Sequence, residues 1–360
     1  MDEERIQLLK HYLEAPSPSG FEGPAQQIIR EEFKKYCDKV ETDVLGNVIG
    51  IRNPDGKPRI MITGHGDEIG FQVIHIGRKR EDDGHIRFRP IGGIDPYVLP
   101  GQRVTIHGKK GPVRGVIGRT PIHELRHLKE EEAKEIKIQN LWIDIGARTR
   151  REAETIVSIG DPITYATGFE RLLNDFIVSR AIDNKMGCFA VLETMRALSQ
   201  MGSHKAGVYG VSTVQEELGM RGGQVSAYRI APDVMLALTL TWDTTNPSID
   251  EKWTGPAACG QGPILNRGAN TNPVVFDILV KVAKENNIPI QIQGEPGNTG
   301  TDAWAVQVAR TGVATAPIYI PMRYCHTPSE IISLMDLDYI VQLVTGFIER
   351  LDEDISFIPF

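Results

Sequence analysis

Residues 207–217, Gly-Val-Tyr-Gly-Val-Ser-Thr-Val-Gln-Glu-Glu, join a β-branched apolar run to two adjacent carboxylates, Glu216 and Glu217. The apolar run predicts a strand, and the Leu-Gly-Met-Arg-Gly-Gly that follows predicts that this strand ends in a glycine-rich loop. Side chains alternate along an extended backbone, so neighbouring carboxylates at the strand end point in different directions. One glutamate could therefore bind a metal ion while the other transfers protons.

Strand patterns alternate with helix patterns on both sides of this stretch. β-branched runs predict strands at residues 44–51, 58–63, 208–214, 234–241 and 313–320. Apolar residues at helical spacing, with cap and turn signals, predict helices at residues 6–13, 24–36, 185–199, 274–286 and 336–351. The alternation predicts an α/β domain built from residues 1–71 and 166–360.

Residues 72–165 have a different pattern, with short apolar runs separated by Gly and Pro. Many short strands with turn signals are typical of a small β domain or barrel, which we expect to be inserted into the α/β domain. The Glu- and Lys-rich residues 128–138 are expected to form a solvated loop or helix. The histidines of the insertion are interpreted as structural or surface residues; they are His75, His85, His107, His123 and His127.

The composition limits the class of protein. Of 360 residues, 41% are hydrophobic and 24% are charged, as expected for a globular protein. The net charge of -7 argues against nucleic acid as a partner, and small or peptidic partners fit better. The four cysteines are far apart, which argues against a disulfide framework and a thiolate zinc site. No signal segment or run of about 18 apolar residues is evident, so we expect a cytoplasmic protein without a membrane partner.

The ends of the predicted strands carry candidate metal ligands. His65 follows the strand at residues 58–63, and His326 follows the strand at residues 313–320. Open α/β sheets bind ligands beyond the carboxyl ends of their strands. We therefore expect both histidines to lie near Glu216 and Glu217.

Two interpretations remain open for several of these residues. His65 is either a structural histidine or a metal ligand whose second ring nitrogen is held by Asp67. Asp183 precedes a predicted helix, so it is either an N-cap or a carboxylate that bridges two metal ions. His326 lies in a loop between two prolines, which favours a side chain held in position.

Five motifs occur in order along nearly the whole chain. They are Gly-His-Gly-Asp-Glu-Ile-Gly at 64–70, Ala-Ile-Asp-Asn-Lys-Met-Gly at 181–187, Val-Gln-Glu-Glu-Leu-Gly-Met-Arg-Gly at 214–222, Gly-Thr-Asp-Ala at 300–303 and Pro-Met-Arg-Tyr-Cys-His-Thr-Pro-Ser-Glu at 321–330. Together they resemble the tetrahedral, cocatalytic metallo-aminopeptidases, which include glutamyl aminopeptidases and proteins once labelled cellulase M. The resemblance implies a mixed-sheet α/β metallopeptidase domain with an inserted small β-barrel-like domain.

The resemblance also implies a site with two divalent metal ions. Its metal ligands would be His65, Asp183, Glu217 and His326, with Asp183 bridging the two ions. Glu216 would be the general base and acid, and Asp67 would complete the catalytic set by orienting His65. Histidine and carboxylate ligands suit zinc and cobalt, and manganese is also possible.

An aminopeptidase that removes N-terminal residues from short peptides is the function that the resemblance implies. Members of the family commonly assemble as tetrahedral dodecamers built from dimers, with the β domain at the contacts. We therefore expect a homo-oligomer in which residues 72–165 contribute to oligomerisation.

The chain departs from the family at one ligand position. The aspartate that completes the set around the ion bound by His65 falls on Thr239, and a second aspartate falls on Thr245. Asp243 stands where the family has a small residue. The site could therefore hold one ion or two, with or without Asp243 as a replacement ligand.

Two other functions follow from these departures and from the old name. An inactive or repurposed homologue would have a degraded metal site and would act in peptide binding or assembly. A glycosidase is suggested only by the label cellulase M. Glycosidases need carboxylates that face one another across a sugar, and adjacent glutamates that diverge from one strand do not meet this requirement.

Overall fold

The computed structural model describes residues 1–77, 83–125, 135–202 and 204–360. The interpretation of His127, and that of residues 128–134 as solvated, lies outside the described residues. The chain divides into two compact units. The α/β unit comprises Met1–Glu68, Phe169–Cys325 and Ser329–Phe360, and the barrel unit comprises Ile69–Gly168 and His326–Pro328.

The strands are numbered in chain order. They are β1 (Lys39–Thr42), β2 (Val48–Arg52), β3 (Arg59–His65), β4 (Gly70–Ile76), β5 (Ile86–Ile91), β6 (Arg103–Gly108), β7 (Gly111–Gly118), β8 (Trp142–Asp144), β9 (Pro162–Tyr165), β10 (Glu170–Arg171), β11 (Phe176–Ser179), β12 (Gly207–Thr213), β13 (Val234–Trp242), β14 (Ile264–Gly268), β15 (Gln291–Glu295), β16 (Ala314–Met322) and β17 (Glu330–Ser333).

The helices are referred to by their ranges. In the described residues the α-helices are Glu3–Glu14, Gly23–Tyr36, Ile122–Leu125, Arg150–Glu154, Ile182–Gln200, Arg221–Ile230, Glu251–Thr254, Pro273–Glu285, Asp302–Gln307 and Leu334–Glu349. Short 3-10 helices occur at Pro96–Val98 and Ile138–Asn140. As the Asn-Pro pair predicts, Asn272 caps the helix Pro273–Glu285 by accepting from the amides of Val274 and Val275. No helix of the described residues combines the length and apolar character needed to cross a membrane.

A mixed sheet forms the centre of the α/β unit. Within the described residues it has eight strands in the order β1-β2-β12-β3-β13-β16-β14-β15. The four central strands, β12, β3, β13 and β16, are parallel to one another. β12 pairs antiparallel with β2, and β16 pairs antiparallel with β14. The predicted mixed-sheet α/β fold with an inserted barrel is confirmed.

One predicted strand is shorter than its β-branched residues suggest. Residues 44–47 form a turn between β1 and β2 rather than the start of a strand. Asp43 Oδ1 accepts hydrogen bonds from the amides of Leu45, Gly46 and Asn47, which satisfies three backbone donors inside the turn. This local bonding competes with strand pairing, so the prediction for residues 44–47 was wrong.

Helices cover both faces of the sheet. On one face, the helix Ile182–Gln200 packs against β3 and β13 within the largest cluster of buried apolar residues. On the other face, the helices Arg221–Ile230 and Asp302–Gln307 cover a smaller cluster that contains Met61 and Val211. Because the parallel strands are buried on both faces, their sequences are nearly continuous apolar runs.

Two glycines allow the helix Ile182–Gln200 to approach the sheet closely. A Cβ atom added at Gly64 would lie 2.2 Å from the amide nitrogen of Cys188, and one added at Gly187 would lie 2.1 Å from the carbonyl oxygen of Leu238. Asn184 adds a direct bond, since its Nδ2 donates to the same Leu238 oxygen at 2.9 Å. The start of the helix is thereby held against the carboxyl end of β3 and the middle of β13.

The barrel unit has its own core. Its six described strands close in the order β4-β5-β8-β7-β6-β9. Phe71 lies at the centre, with the ring of Phe88 at 5.1 Å and the ring of Tyr165 at 5.4 Å, both packed edge to face. Closure pairs the strand edges, so the unit leaves no long unpaired strand among its described residues.

Replacing Gly64 by Ala is expected to destabilise the protein. The new methyl group would overlap the backbone of the helix Ile182–Gln200, and such overpacking costs about 1–3 kcal/mol or more. Chemical denaturation should show a lower free energy of unfolding. Gly294→Ala is the matched control, because a Cβ there meets nothing within 4 Å. Equal stability of the two variants would contradict the close packing at Gly64.

Candidate active site

The parallel strands carry the candidate residues to one edge of the sheet. His65 is the last residue of β3 and is in register with Thr213, the last residue of β12. Glu216 and Glu217 follow β12 after two residues. The histidine and both glutamates therefore lie at the carboxyl edge of the sheet, where α/β folds place their ligands.

His65 is surrounded by carboxylates on both sides of its ring. Its Nδ1 lies 3.2 Å from the carbonyl oxygen of Asp67 and 3.4 Å from Asp67 Oδ1. Its Nε2 lies 3.3 Å from Asp183 Oδ1 and 3.7 Å from Glu216 Oε2. Burial disfavours protonation of this ring, but Glu216, Asp183 and Asp67 outweigh burial and raise the pKa of His65 well above its usual value.

Asp67 is fully buried and holds several groups at once. Its Oδ1 accepts the backbone N–H of Glu216 at 3.0 Å, and its Oδ2 accepts that of Glu217 at 3.1 Å. The hydroxyl of Ser19 also donates to Oδ2, at 2.6 Å. Burial works against ionisation, but these bonds and the neighbouring His65 lower the pKa of Asp67. One carboxylate thus fixes the histidine and the backbone of both glutamates.

Asp183 lies at the start of the helix Ile182–Gln200, where it and Asn184 have non-helical backbone angles. The cap bond to the helix is made by Asn184, whose Oδ1 accepts from the amide of Gly187 at 2.9 Å. The two oxygens of Asp183 have different neighbours. Oδ1 is the atom near His65, whereas Oδ2 accepts a hydrogen bond from the thiol of Cys325 at 3.5 Å.

Glu216 lies in a site with an excess of negative charge. Burial raises the pKa of Glu216 well above its usual range; His65 opposes this shift, and the carboxylates of Asp302 and Glu217 add to it. Several carboxylates near one another are stabilised by a bound cation, which replaces the protons that they would otherwise retain. The electrostatics of the site therefore favour a cation.

Glu217 and His326 lie in different units. Glu217 belongs to the α/β unit, and its carboxylate acts electrostatically on Glu216 and on the thiol of Cys325. His326 belongs to the barrel unit, where its Nδ1 lies 2.7 Å from the carbonyl oxygen of Gly93. A backbone carbonyl on one ring nitrogen is common for histidines that bind metal through the other nitrogen.

Asp243 is engaged elsewhere at this edge of the sheet. Its Oδ2 lies 2.8 Å from Arg323 Nε and accepts the amide of Cys259 at 3.2 Å. Its Oδ1 accepts the amide of Thr245 at 2.7 Å and the hydroxyl of Thr245 at 2.5 Å. Both oxygens therefore hold the loop after β13 and Arg323, which argues against Asp243 as a replacement ligand for the position of Thr239.

Asp302 belongs to the Gly-Thr-Asp-Ala motif, but its sequence context alone indicates no specific role for it. Asp302 is buried, and its Oδ2 accepts the hydroxyl of Thr213 at 2.8 Å. Burial raises the pKa of Asp302 to about 6, against the opposing charge of His65. The motif therefore drew attention to Asp302, but its proximity to the other acids arises only when β12 and the helix Asp302–Gln307 come together.

A buried charge cluster supports the site and was also missed. Glu68, next to Asp67, forms ion pairs with Arg180 and with Lys185, the latter at 3.5 Å. Lys185 Nζ also donates to the carbonyl oxygens of Leu13, at 3.2 Å, and Ala15. Only charges paired in this way are tolerated in a protein interior. Arg180 and Lys185 are near each other in the sequence, but Glu68 is 112 residues from Arg180, so no local motif links the cluster.

The donor atoms around Asp183 have the spacing of metal ligands. Metal–nitrogen and metal–oxygen bonds of about 2.0 Å place two ligands of a tetrahedral ion about 3.3 Å apart. His65 Nε2 and Asp183 Oδ1 are 3.3 Å apart. Imidazole nitrogen with carboxylate oxygen is a donor set that several divalent metals accept. The residues present therefore fit a divalent metal ion.

The chain matches the sequence profile described as M42 glutamyl aminopeptidase over residues 46–343. It is 35% identical to a lysyl aminopeptidase of Pyrococcus furiosus over 96% of this chain and 97% of that protein. Among solved structures, a TET aminopeptidase from a marine sediment thaumarchaeon superposes with a TM-score of 0.90 and 35% identity, over 97% of both chains.

The TET1 peptidase of Pyrococcus horikoshii is a further structural match. It has a TM-score of 0.82 and 29% identity, over 96% of this chain and 100% of that chain. That peptidase can assemble into a tetrahedron or a large octahedral shell. The comparisons do not favour the alternative of a repurposed homologue without catalytic activity.

The family profile matches most of the chain, and the aminopeptidase relatives align with this chain over nearly their full lengths. Family membership implies the use of a divalent metal, in agreement with the donor atoms around Asp183. The chain belongs to the M42 glutamyl aminopeptidase family and is an aminopeptidase, a hydrolase that acts on peptide bonds.

Proposed function

We propose that the enzyme removes N-terminal residues from short peptides at a dinuclear metal site, with Glu216 as the general base. The observation that carries this proposal is the convergence of three side chains. Asp183 Oδ1 lies 3.3 Å from His65 Nε2, and Glu216 Oε2 lies 3.7 Å from the same nitrogen. The proposed metal ligands are His65, Asp183, Glu217 and His326. Zinc or cobalt suits this donor set, and manganese is possible.

Bound divalent ions supply a polarised scissile carbonyl and a more acidic water. Glu216 takes the proton of the attacking water and delivers it to the departing amine nitrogen. Asp67 acts indirectly, by holding the backbone of Glu216 and the ring of His65.

Of the two proposed ions, the one bound by His65 is proposed to bind less tightly. Ala237 of β13 pairs with Thr63 of β3, so Thr239 and His65 lie two residues beyond paired positions on the same face of the sheet. Thr239 therefore stands beside His65 without offering a carboxylate. A ligand set with one fewer anion binds a cation less tightly.

A homo-oligomer is part of this proposal. The TET1 peptidase of Pyrococcus horikoshii forms closed shells, and the present chain covers its full length. We infer a tetrahedral dodecamer built from dimers, with contacts from the inserted barrel residues. A cytoplasmic location is proposed because all four cysteines are unpaired, as is usual in a reducing compartment.

Glu216→Gln is expected to reduce turnover of aminoacyl chromogenic substrates by about 10²-fold or more, since the amide cannot accept the proton. Metal content measured by elemental analysis should be unchanged. Glu217→Gln is the matched variant, and it should lose metal and recover activity in excess metal. Full activity of Glu216→Gln would show that another group is the base.

Thr239→Asp is expected to tighten the binding of the ion beside His65. The added carboxylate supplies the missing anion beside His65, so affinity for that ion should rise by at least about tenfold. Calorimetric titration of the metal-free protein with zinc measures the change. Thr239→Ser, which adds no charge, is the control. Identical titrations of the wild type and Thr239→Asp would mean that Thr239 does not adjoin a metal position.

Asp67→Asn is expected to lower metal affinity about 10–100-fold, because the amide replaces one of the two acceptor oxygens that hold His65 and the backbone of Glu216 and Glu217 with an NH2 donor. The unfolding free energy should also fall by about 1–3 kcal/mol. Asp233→Asn is the control, since Asp233 accepts the amide of Arg59 at the opposite end of β3. Equal metal affinity in the two variants would contradict the proposal that Asp67 orients His65 and the backbone of the glutamates.

A further inference from the structure

Cys325 stands next to the carboxylate that the proposed metal site shares. Its Sγ lies 3.5 Å from Asp183 Oδ2, while the other oxygen of Asp183 lies 3.3 Å from His65 Nε2. The thiol and the imidazole are therefore neighbours of different oxygens of one carboxylate. This is the arrangement expected of ligands to two ions that a carboxylate bridges.

The Cys325–Asp183 distance also fits ligation. Zinc–sulfur bonds of about 2.3 Å and zinc–oxygen bonds of about 2.0 Å place sulfur and oxygen on one tetrahedral ion about 3.5 Å apart. The observed separation is 3.5 Å. The separation between His65 and Asp183 is shorter, as expected when the metal–nitrogen and metal–oxygen bonds are both about 2.0 Å.

The other three cysteines are used differently. Cys188 Sγ donates to the carbonyl oxygen of Gly64 at 2.9 Å, and Cys259 Sγ donates to that of Pro321 at 3.2 Å. Cys37 lies against Gly50, on β2. Among the four cysteines, Cys325 is thus the one whose described contact is with a proposed metal ligand, Asp183.

We propose that Cys325 binds, as a thiolate, the divalent cation held by Asp183 Oδ2. This inference rests on the proposed function, because it adds a ligand to the same metal site. When the cation binds, the thiol proton leaves to solvent and the sulfur–metal bond forms. A thiolate favours zinc or cobalt over manganese, so Cys325 also contributes to metal selection.

Cobalt substitution tests the proposal. The wild-type protein is stripped with a chelator, reloaded with Co²⁺ and examined by absorption spectroscopy. A thiolate ligand gives a near-ultraviolet sulfur-to-cobalt charge-transfer band, in addition to the visible d–d bands of bound cobalt. We expect this band in the wild type and in the control Cys37→Ser, and its loss in Cys325→Ser with the d–d bands retained.

A thiol that only donates a hydrogen bond to Asp183 would give d–d bands without the charge-transfer band. That result in the wild type, with peptide cleavage intact, would overturn the thiolate ligand and leave the proposed function standing. Failure to retain cobalt, with no cleavage, would instead overturn the metal-dependent function. Cys325→Ala provides a second variant if Cys325→Ser does not fold, as judged by circular dichroism.

Discussion

The close approach of the helix Ile182–Gln200 to the carboxyl edge of the sheet is the constraint on which the site depends. Side chains larger than hydrogen at residues 64 and 187 would meet backbone atoms at 2.2 and 2.1 Å. The helix would then have to move outward. Asp183 lies at the start of this helix and His65 at the end of β3, so an outward shift would separate the two atoms that now lie 3.3 Å apart. The glycines are structural residues with a direct effect on the site.

Asp67 and Glu68 are adjacent in the chain but contact different surroundings. Asp67 faces the site, where it holds His65 and two backbone amides, whereas Glu68 faces Arg180 and Lys185 in the interior. The cluster around Glu68 holds the C-terminal end of the helix Glu3–Glu14, because Lys185 donates to the carbonyl oxygens of Leu13 and Ala15. Buried charges that are fully paired stabilise one arrangement, because breaking the pair would leave a buried charge without compensation. Because the side chains of Asp67 and Glu68 point in different directions, these two adjacent residues join the candidate site directly to the buried charge cluster around Glu68.

The sequence predicted most strands and helices because their apolar runs and cap signals are local. Asn272 and the β-branched runs are examples. The β-branched pattern wrongly predicted a strand at residues 44–47, where the bonds of Asp43 replace strand pairing. The sequence also did not reveal that Asp67 holds the backbone of Glu216, since that bond joins residues 149 positions apart. Residue types and strand ends indicate which side chains gather, but the bonds between them depend on tertiary packing.

The two halves of the proposed dinuclear site are unequal in the ligands that this chain offers. In the proposed site Thr239 supplies no anion beside His65, and the contacts of Asp243 argue against it as a replacement because its two oxygens already bind Arg323 and backbone amides. Cys325 adds a donor, but on the opposite oxygen of Asp183. A thiolate there would strengthen the ion on its own side and leave the ion beside His65 with fewer protein ligands. Glu216, the proposed base, lies 3.7 Å from His65 Nε2, so it would be nearest to the ion that is proposed to bind less tightly. Occupancy of that ion would then control how much of the enzyme is competent at a given metal concentration.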